Sequence, residues 1–307
     1  MKVDEHIHIV TNQGEEVSWK ASFLRSCIEK SISTSWTIND KATINLFIGD
    51  VIPWEQVVPN SSRIMAFFLA ATSFNDLVES NERDREVELN NLTKADLIIL
   101  PSHSVYTLLE NVVEPKILHK CAVLGFPLNP LSISGYPSRP KDNTVAFVTD
   151  FASVKNFDFQ LHLSKWLIKS GWSVTCYCSG KSLQASTLSA IGCTVVEKLS
   201  VVDFWESCAN NKYFINVSRY ESLSVSSIEA ALLGCIVVCP DHSGFIDWCP
   251  TRNRFKEFTI RQVELAIKKA TKIPIEQLNH YSSEIFFSKL RYIANAKYQQ
   301  PDSVSSS

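Results

Sequence analysis

Tyr220-Glu-Ser-Leu-Ser-Val-Ser-Ser-Ile-Glu-Ala-Ala-Leu-Leu-Gly-Cys-Ile-Val-Val-Cys-Pro240 is the stretch on which the fold turns. A strand-like run, Tyr213, Phe214, Ile215 and Val217, leads into it. A helix-like run ending at Gly234 follows, and then a second strand, Ile236-Val237-Val238. Parallel strands need a helical crossover, so strand, acidic turn, helix, glycine stop and strand make one α/β unit. The spacing predicts Glu221 at the helix entrance and Glu229 about two turns inside, about 12 Å away at the helical rise. A plainer reading stands beside this one. Ser226-Ser-Ile-Glu229 fits a capping box, in which the Glu only satisfies the helix N-terminus.

The same alternation runs outward in both directions. Toward the N-terminus, His6–Val10, Ile44–Ile48, Arg63–Leu69, Ala95–Leu100 and Lys120–Gly125 read as strands. A helix carrying Val17, Phe23, Leu24 and Ile28 and a charged helical stretch over 74–95 lie between them, and Ser102 can cap a helix carrying Val105 and Leu108. The Pro-, Ser- and Gly-rich segment from Phe126 to Pro140 reads as a linker. The pattern then restarts with Thr144–Val148, a helix carrying Phe159, Leu163, Trp166 and Leu167, a stop at Gly171, and Ser173–Cys178. Strands alternating with helices imply parallel, doubly wound sheets. The expected division is an N-terminal domain over 1–130, a linker over 131–142, a second domain over 143–275, a helix over 276–300 that crosses back onto the first domain, and a disordered tail over 301–307.

Composition narrows the function classes. A chain of 307 residues accommodates two α/β domains, and 45% hydrophobic with 20% charged residues suits a globular protein. A formal net charge of −2 offers no global attraction to nucleic acid or an anionic membrane. The basic residues between Arg252 and Lys272 are interrupted by Glu257 and Glu264 and read as a solvated helical face. Nine Cys, an odd number set mostly in apolar runs, fit buried free thiols in a reducing compartment. No paired Cys-x-x-Cys motif points to structural zinc, and His6 with His8 on one strand is a weak metal candidate. Met-Lys-Val-Asp-Glu-His is too polar for a signal peptide, and no apolar run approaches a membrane span. The expected location is cytoplasmic, with no stable membrane insertion.

The quoted stretch resembles the Glu-(seven residues)-Glu signature of retaining glycosyltransferases of the GT-B class. Ser218, Glu221, Glu229, Ala230, Gly234, Val237 and Val238 stand in its register, and Ser243-Gly-Phe-Ile-Asp247 falls where the family carries Gly-Gly-x-x-Glu. Ala95-Asp-Leu-Ile-Ile-Leu-Pro-Ser102 looks like the family's strand-to-helix turn, and Val145–Asn156 like the strand that opens its donor domain. The resemblance implies an α/β fold of two Rossmann-like domains facing across a cleft. It also implies a nucleoside diphosphate sugar as donor substrate, with no cofactor and no dedicated metal site. About 12 Å suits a nucleoside diphosphate between its ribose and its sugar, and the positive helix end between the two carboxylates can meet the phosphates. Lys155 takes the family's Lys position and is the candidate cation for the diphosphate. The backbone N–H groups of Ser222, Leu223 and Ser224 are the candidate anion cradle. Glu221 is expected to contact donor-sugar hydroxyls and Glu229 the ribose.

Departures from the family pattern are specific. Asp150 stands five residues before Lys155, where the family has Arg, and an acid beside a diphosphate is repulsive unless a cation compensates. Ser222-Leu-Ser224 replaces a Gly-x-Gly, and the family's N-terminal Gly-Gly loop is reduced to Gly14. The strand Phe67-Phe-Leu-Ala70 lacks the His that many members carry. His103 and His242 follow strand ends, where a cleft is expected, and are further candidates. The acceptor stays open among a glycan, a lipid-linked sugar, a metabolite, a protein and a modified nucleic-acid base. Two rival functions use the same fold: a nucleotide- or sugar-binding protein that has lost turnover, and a sugar phosphorylase or nucleotide-sugar epimerase.

Overall fold

A computed structural model describes residues 7–11, 23, 32–35, 42, 44–48, 64–69, 82–137, 139–149, 153–178, 182–197 and 199–298. Two units are built from them. The first runs to Leu128 and resumes at Tyr281; the second holds Asn129–His280.

The first unit is a six-stranded, all-parallel sheet. Its strands are β1 (Ile7–Thr11), β2 (Ser33–Ser35), β3 (Ile44–Ile48), β4 (Ile64–Phe68), β5 (Leu97–Leu100) and β6 (Cys121–Val123), ordered β2-β1-β3-β4-β5-β6. β3 and β5 are buried along their whole length, which is why they read as unbroken apolar runs. The charged helix α1 (Glu82–Lys94) precedes β5. It is followed by α2 (His103–Leu109), which Ser102 caps by accepting from Val105 N at 3.3 Å, and by the short α3 (Pro115–Leu118). Gly14 and the tail expected over 301–307 lie outside the described residues. Of the early helix only Phe23 is described; it is helical and fully buried.

The second unit repeats the plan with the helices α4 (Pro130–Ser134), α5 (Phe157–Lys169), α6 (Leu183–Ala190), α7 (Val201–Cys208), α8 (Val225–Leu232), α9 (Ile260–Lys269) and α10 (Ile275–Leu278). Its strands are β7 (Lys141–Thr149), β8 (Ser173–Cys178), β9 (Thr194–Glu197), β10 (Asn211–Ile215), β11 (Ile236–Pro240) and β12 (Arg254–Phe255), ordered β12-β11-β10-β7-β8-β9 and all parallel. From β7 the chain winds outward through β8 and β9, returns, and winds the other way through β10 and β11. The switch point of this Rossmann order therefore lies between β7 and β10, where ligands bind at strand C-termini. Val145, Phe147, Val174, Ile215 and Val238 on the sheet pack against Leu163 and Leu167 of α5 and Val263 and Ile267 of α9. Gly171 ends the α5 turn at φ +82 and Gly234 the α8 turn at φ +88, both stops foreseen in the sequence.

Two expectations about organisation are corrected. The segment expected as linker, 131–142, belongs to the second unit and carries most of α4 and the start of β7; a Pro at N1 and an Asn129 cap make a helix of what composition presents as a connector. The final helix is not one piece from about Ile275. It breaks into α10, a 3-10 turn (Asn279–Tyr281) and α11 (Ser283–Tyr298). α10 stays with the second unit, whereas α11 belongs to the first. There Phe286 meets Phe23 and Phe68 edge to face at centroid distances of 5.8 and 6.3 Å, in a cluster that includes Phe126. Such pairs add about 0.5–1.5 kcal/mol each beyond the apolar area they bury. The return is pinned at Leu128, which accepts from Ser283 N at 2.6 Å and donates to Tyr281 O at 2.7 Å.

Among the described residues all eight cysteines are free thiols, seven of them buried. Among the same residues no helix is long and apolar enough to cross a membrane, and no group of three or more His, Cys, Asp or Glu is placed to hold a metal ion. His8 is buried in β1, in register with Asn45 of β3, and His6 lies outside the described residues.

Candidate functional site

Three loops leave the C-terminal ends of β7, β10 and β11, and the site is built from them. After β7, residues 150–152 lie outside the description, Asp150 among them, and a 3-10 turn (Ser153–Lys155) brings Lys155 forward. After β10 the chain runs through Asn216–Ser224 before α8 begins. The two loops are tied by Arg219 N donating to Val154 O at 2.6 Å. Across that tie Lys155 Nζ bonds Glu221 Oε1 at 2.6 Å. Residues 66 apart in the chain thus meet at the switch point.

The Glu221 carboxylate is used unevenly. Oε1 also accepts from Ser218 Oγ at 2.9 Å and from Asn216 Nδ2 at 3.4 Å. Oε2 takes no donor from the described residues, although the side chain is only 9% exposed. Among the described residues Lys155 likewise spends one N–H on Glu221 and keeps two. The pair is an acceptor and a cation held side by side, each with capacity left for a ligand. Burial, reinforced by the Glu221 charge, pushes the neighbouring Tyr220 phenol above its ordinary pKa.

The helix entrance differs from its expected geometry. α8 starts at Val225, with Ser224 as N-cap at φ +65, ψ +69. Glu221-Ser-Leu-Ser224 is therefore a non-helical turn, and Glu229 lies little more than one turn inside the helix. From Val225 to Glu229 the helix rises about 6 Å, so the eight-residue helical rise behind the 12 Å figure does not apply. The left-handed Ser224 is the physical reason, since it cannot continue a right-handed helix backward. The capping box fails on the same ground, because Ser226 sits inside the first turn and not at the cap. Among the described residues the backbone N–H groups of Ser222, Leu223 and Ser224 meet no acceptor in the protein.

The β11 loop holds this turn from the other side. Gly244 N donates to Glu221 O at 2.9 Å, and Trp248 Nε1 donates to Leu223 O at 2.9 Å. A Cβ on Gly244 would stand 2.1 Å from Ser222 O, so only glycine fits this close backbone approach. His242 precedes it, with Nδ1 2.8 Å from Ser243 Oγ and its ring against Phe258; burial lowers its pKa, opposed by the charge of Asp241.

The structure thus brings Lys155, Glu221 and the Ser222–Ser224 turn together, with His242 on the adjoining loop. Glu229 is buried in α8, and its charge adds to the burial and the Cys235 contact that raise the Cys208 thiol. His103 is exposed at the start of α2 in the first unit. Sequence reasoning missed Asn216, Ser227, Gly244 and Trp248 as parts of the site. Asn216 carried a signal, a polar residue interrupting the apolar run Tyr213–Val217 at a strand end; Trp248 carried none. A separate groove of 640 Å³, walled in part by Leu131, Tyr136, Arg139, Glu206 and Asn210, contains none of the candidate residues.

No protein-family model and no curated protein matches the chain. Solved structures do. Anabaena HepE, crystallised with UDP and glucose, superposes with a TM-score of 0.70 at 9% identity over 95% of this chain and 100% of its own. A Rickettsia africae glycosyltransferase gives 0.67 at 9% identity over 97% and 100%. S. aureus TarM, solved with fondaparinux, α-GlcNAc-glycerol and UDP, gives 0.64 at 15% identity over 84% of this chain and 56% of TarM. The chain thus spans little more than half the length of TarM. At such identities the likeness shows the fold, an α/β arrangement of two Rossmann-like domains shared with GT-B glycosyltransferases.

Proposed function

We propose that this chain is a retaining glycosyltransferase that moves a sugar from a nucleoside diphosphate sugar to an acceptor hydroxyl or amine. One observation carries the reading: at the switch point of the second sheet, Lys155 and the nine-tenths-buried Glu221 are paired through one carboxylate oxygen while the other stays open. The transfer breaks the bond between the anomeric carbon and the diphosphate oxygen and forms one from the same face to the acceptor, whose proton passes to the departing diphosphate oxygen. Positive charge grows on the sugar and negative charge on the departing diphosphate. Lys155 meets that diphosphate with its two remaining N–H donors, and the N–H groups of Ser222–Ser224 add aimed dipoles. Glu221 Oε2 accepts from a donor-sugar hydroxyl. Glu229 is assigned the ribose, and the reading calls for no dedicated metal site.

The neighbours support a UDP-sugar as donor, since HepE and TarM were both solved with UDP. Asp150 in place of a family Arg favours a second reading, a nucleotide-sugar-binding protein without turnover. The buried free thiols suit a reducing, cytoplasmic setting. Calorimetric titration with UDP, GDP, ADP and their sugar conjugates, with and without Mg²⁺, separates the readings when run beside a donor-hydrolysis assay. Binding of one nucleotide with slow, metal-independent hydrolysis of its sugar conjugate is expected. Binding without hydrolysis, once candidate acceptors have also been supplied, supports the second reading, and no binding of any nucleotide removes both.

A further inference from the structure

We propose that Asn216 is a positioning residue of this site, one that holds Ser224 in its left-handed conformation and so keeps the helix-entrance N–H groups open to an anion. The functional half of that statement rests on reading the Glu221–Ser224 turn as a diphosphate cradle; the structural half does not.

Asn216 is anchored at both ends. Its backbone N–H continues the sheet by donating to Val238 O at 2.9 Å, and the residue is 8% exposed. Its Oδ1 accepts from Ser218 N at 2.8 Å. That bond fixes the amide orientation, because a flipped amide would aim its NH₂ at an N–H. Nδ2 therefore faces Ser224 Oγ at 3.0 Å, Ser227 Oγ at 3.3 Å and Glu221 Oε1 at 3.4 Å. The Ser224 and Ser227 hydroxyls close the network at 2.7 Å.

The network explains two features of Ser224. A non-glycine residue at φ +65 is disfavoured, and two hydrogen bonds to its hydroxyl offset that cost. An N-cap serine also ordinarily accepts from an N–H of the first helical turn, consuming a donor an anion needs. Here the Ser224 side chain makes no such cap bond, because Asn216 and Ser227 draw it sideways. Ser227 N donates to Ser224 O at 3.1 Å, and among the described residues the Val225 and Ser226 N–H groups are left for a ligand. The same amide touches the Glu221 carboxylate, so turn and carboxylate are set by one side chain.

If this is right, a glycine at 224, which adopts the conformation unaided, makes Asn216 dispensable. The test uses the full chain in four forms: wild type, Asn216→Ala, Ser224→Gly and the double variant. Thermal melting and calorimetric titration with UDP, GDP and ADP are the readouts. Asn216→Ala is expected to lower the melting temperature by about 4 °C and to weaken nucleotide binding about tenfold. In the Ser224→Gly background both losses should shrink by half or more. A merely structural amide gives equal losses in both backgrounds, which overturns the proposal. Asn216→Ser takes the place of Asn216→Ala if the latter does not fold, and folding restored by Ser224→Gly supports the proposal directly. If no nucleotide binds to the wild type while the melting rescue is seen, the diphosphate reading falls and the positioning of Ser224 stands. If a nucleotide binds but no rescue is seen, the positioning falls alone.

Discussion

Replacing Lys155 by Met should do two separable things, and separating them tests whether the ammonium serves the fold or the ligand. Nζ lies 2.6 Å from Glu221 Oε1, with the Lys side chain 22% exposed and the Glu side chain 9%. Opposite charges about 4 Å apart attract by about 4 kcal/mol at an effective dielectric of about 20, before desolvation is set against it. Removing one member of a buried pair costs about 3–5 kcal/mol, chiefly because the other charge is stranded. Here Glu221 keeps the Ser218 hydroxyl and the Asn216 amide, and Lys155 reaches solvent, so the expected loss is smaller, about 2–3 kcal/mol. For a chain of this size that is a fall of about 3–5 °C in melting temperature. Adding Glu221→Gln removes the stranded charge and should restore most of the melting temperature. It should not restore UDP affinity, expected to be down about 10- to 100-fold for want of charge-assisted bonds to the diphosphate. Melting curves and UDP titrations of wild type, Lys155→Met and Lys155→Met/Glu221→Gln give the answer. UDP affinity in the double variant within twofold of wild type would refute the role given to Lys155; an unchanged melting temperature in the single variant would refute the energetic weight given to the pair.

Other perturbations probe the rest of the site. Glu229→Ala is expected to weaken UDP by about tenfold or more while leaving inorganic pyrophosphate binding unchanged, because its assigned partner is the ribose; equal loss of both ligands would place its effect in the packing of α8. Gly244→Ala puts a methyl 2.1 Å from Ser222 O and 2.8 Å from Leu223 Cα. Backbone must move to admit it, at a cost of about 1–3 kcal/mol. A lowered melting temperature together with lost UDP binding is expected, and wild-type behaviour in both would show that the two loops do not constrain each other. His242 has its pKa lowered by burial in the fold. The unfolded chain therefore takes up that proton first, as pH falls through about 6.5. Stability should decline from there down to the folded pKa and then cease to change on this account. Melting curves from pH 7.5 to 5 should show a decline that is smaller in His242→Gln, and identical pH slopes would sink the assignment.

How much of this could be read in the chain depends on what kind of information each feature uses. Strands buried on both faces announce themselves as apolar runs, so β3 falls where Ile44–Ile48 predicts and β5 lies inside the predicted Ala95–Leu100. β2, three residues of Ser-Thr-Ser at a sheet edge, carries no such signal and was not foreseen. Lys155 and Glu221 were legible through the family register. The start of α8 was not, because periodicity runs smoothly through Glu221–Leu232, whereas the break comes from one dihedral at Ser224 that propensity does not encode. Where the family pattern it resembles has a glycine, which is easy to read, this chain has a serine held by a residue eight positions earlier, which is hard to read.

That replacement bears on why no family model matches although the fold is shared. Parallel strand ends at a switch point converge whatever side chains they carry, because the crossover rules and the sheet spacing set their positions. What a loop needs there is a backbone conformation and a few aimed donors, and more than one residue set can supply them. In the proposed site Lys155 and Glu221 are the residues assigned the charge. Asn216, Ser224 and Ser227 supply by hydrogen bonding the conformation that glycine supplies by lacking a Cβ. Gly244 remains glycine because its constraint is distance to another backbone, which no side-chain network can relieve. Sequence drift in such a site should therefore run furthest at positions whose requirement is conformational and least at those whose requirement is charge or close approach. Asp150, which stands in sequence where the family pattern has Arg, is the departure left to test. Substituting Arg there asks whether turnover, and not binding, is what the departure has changed.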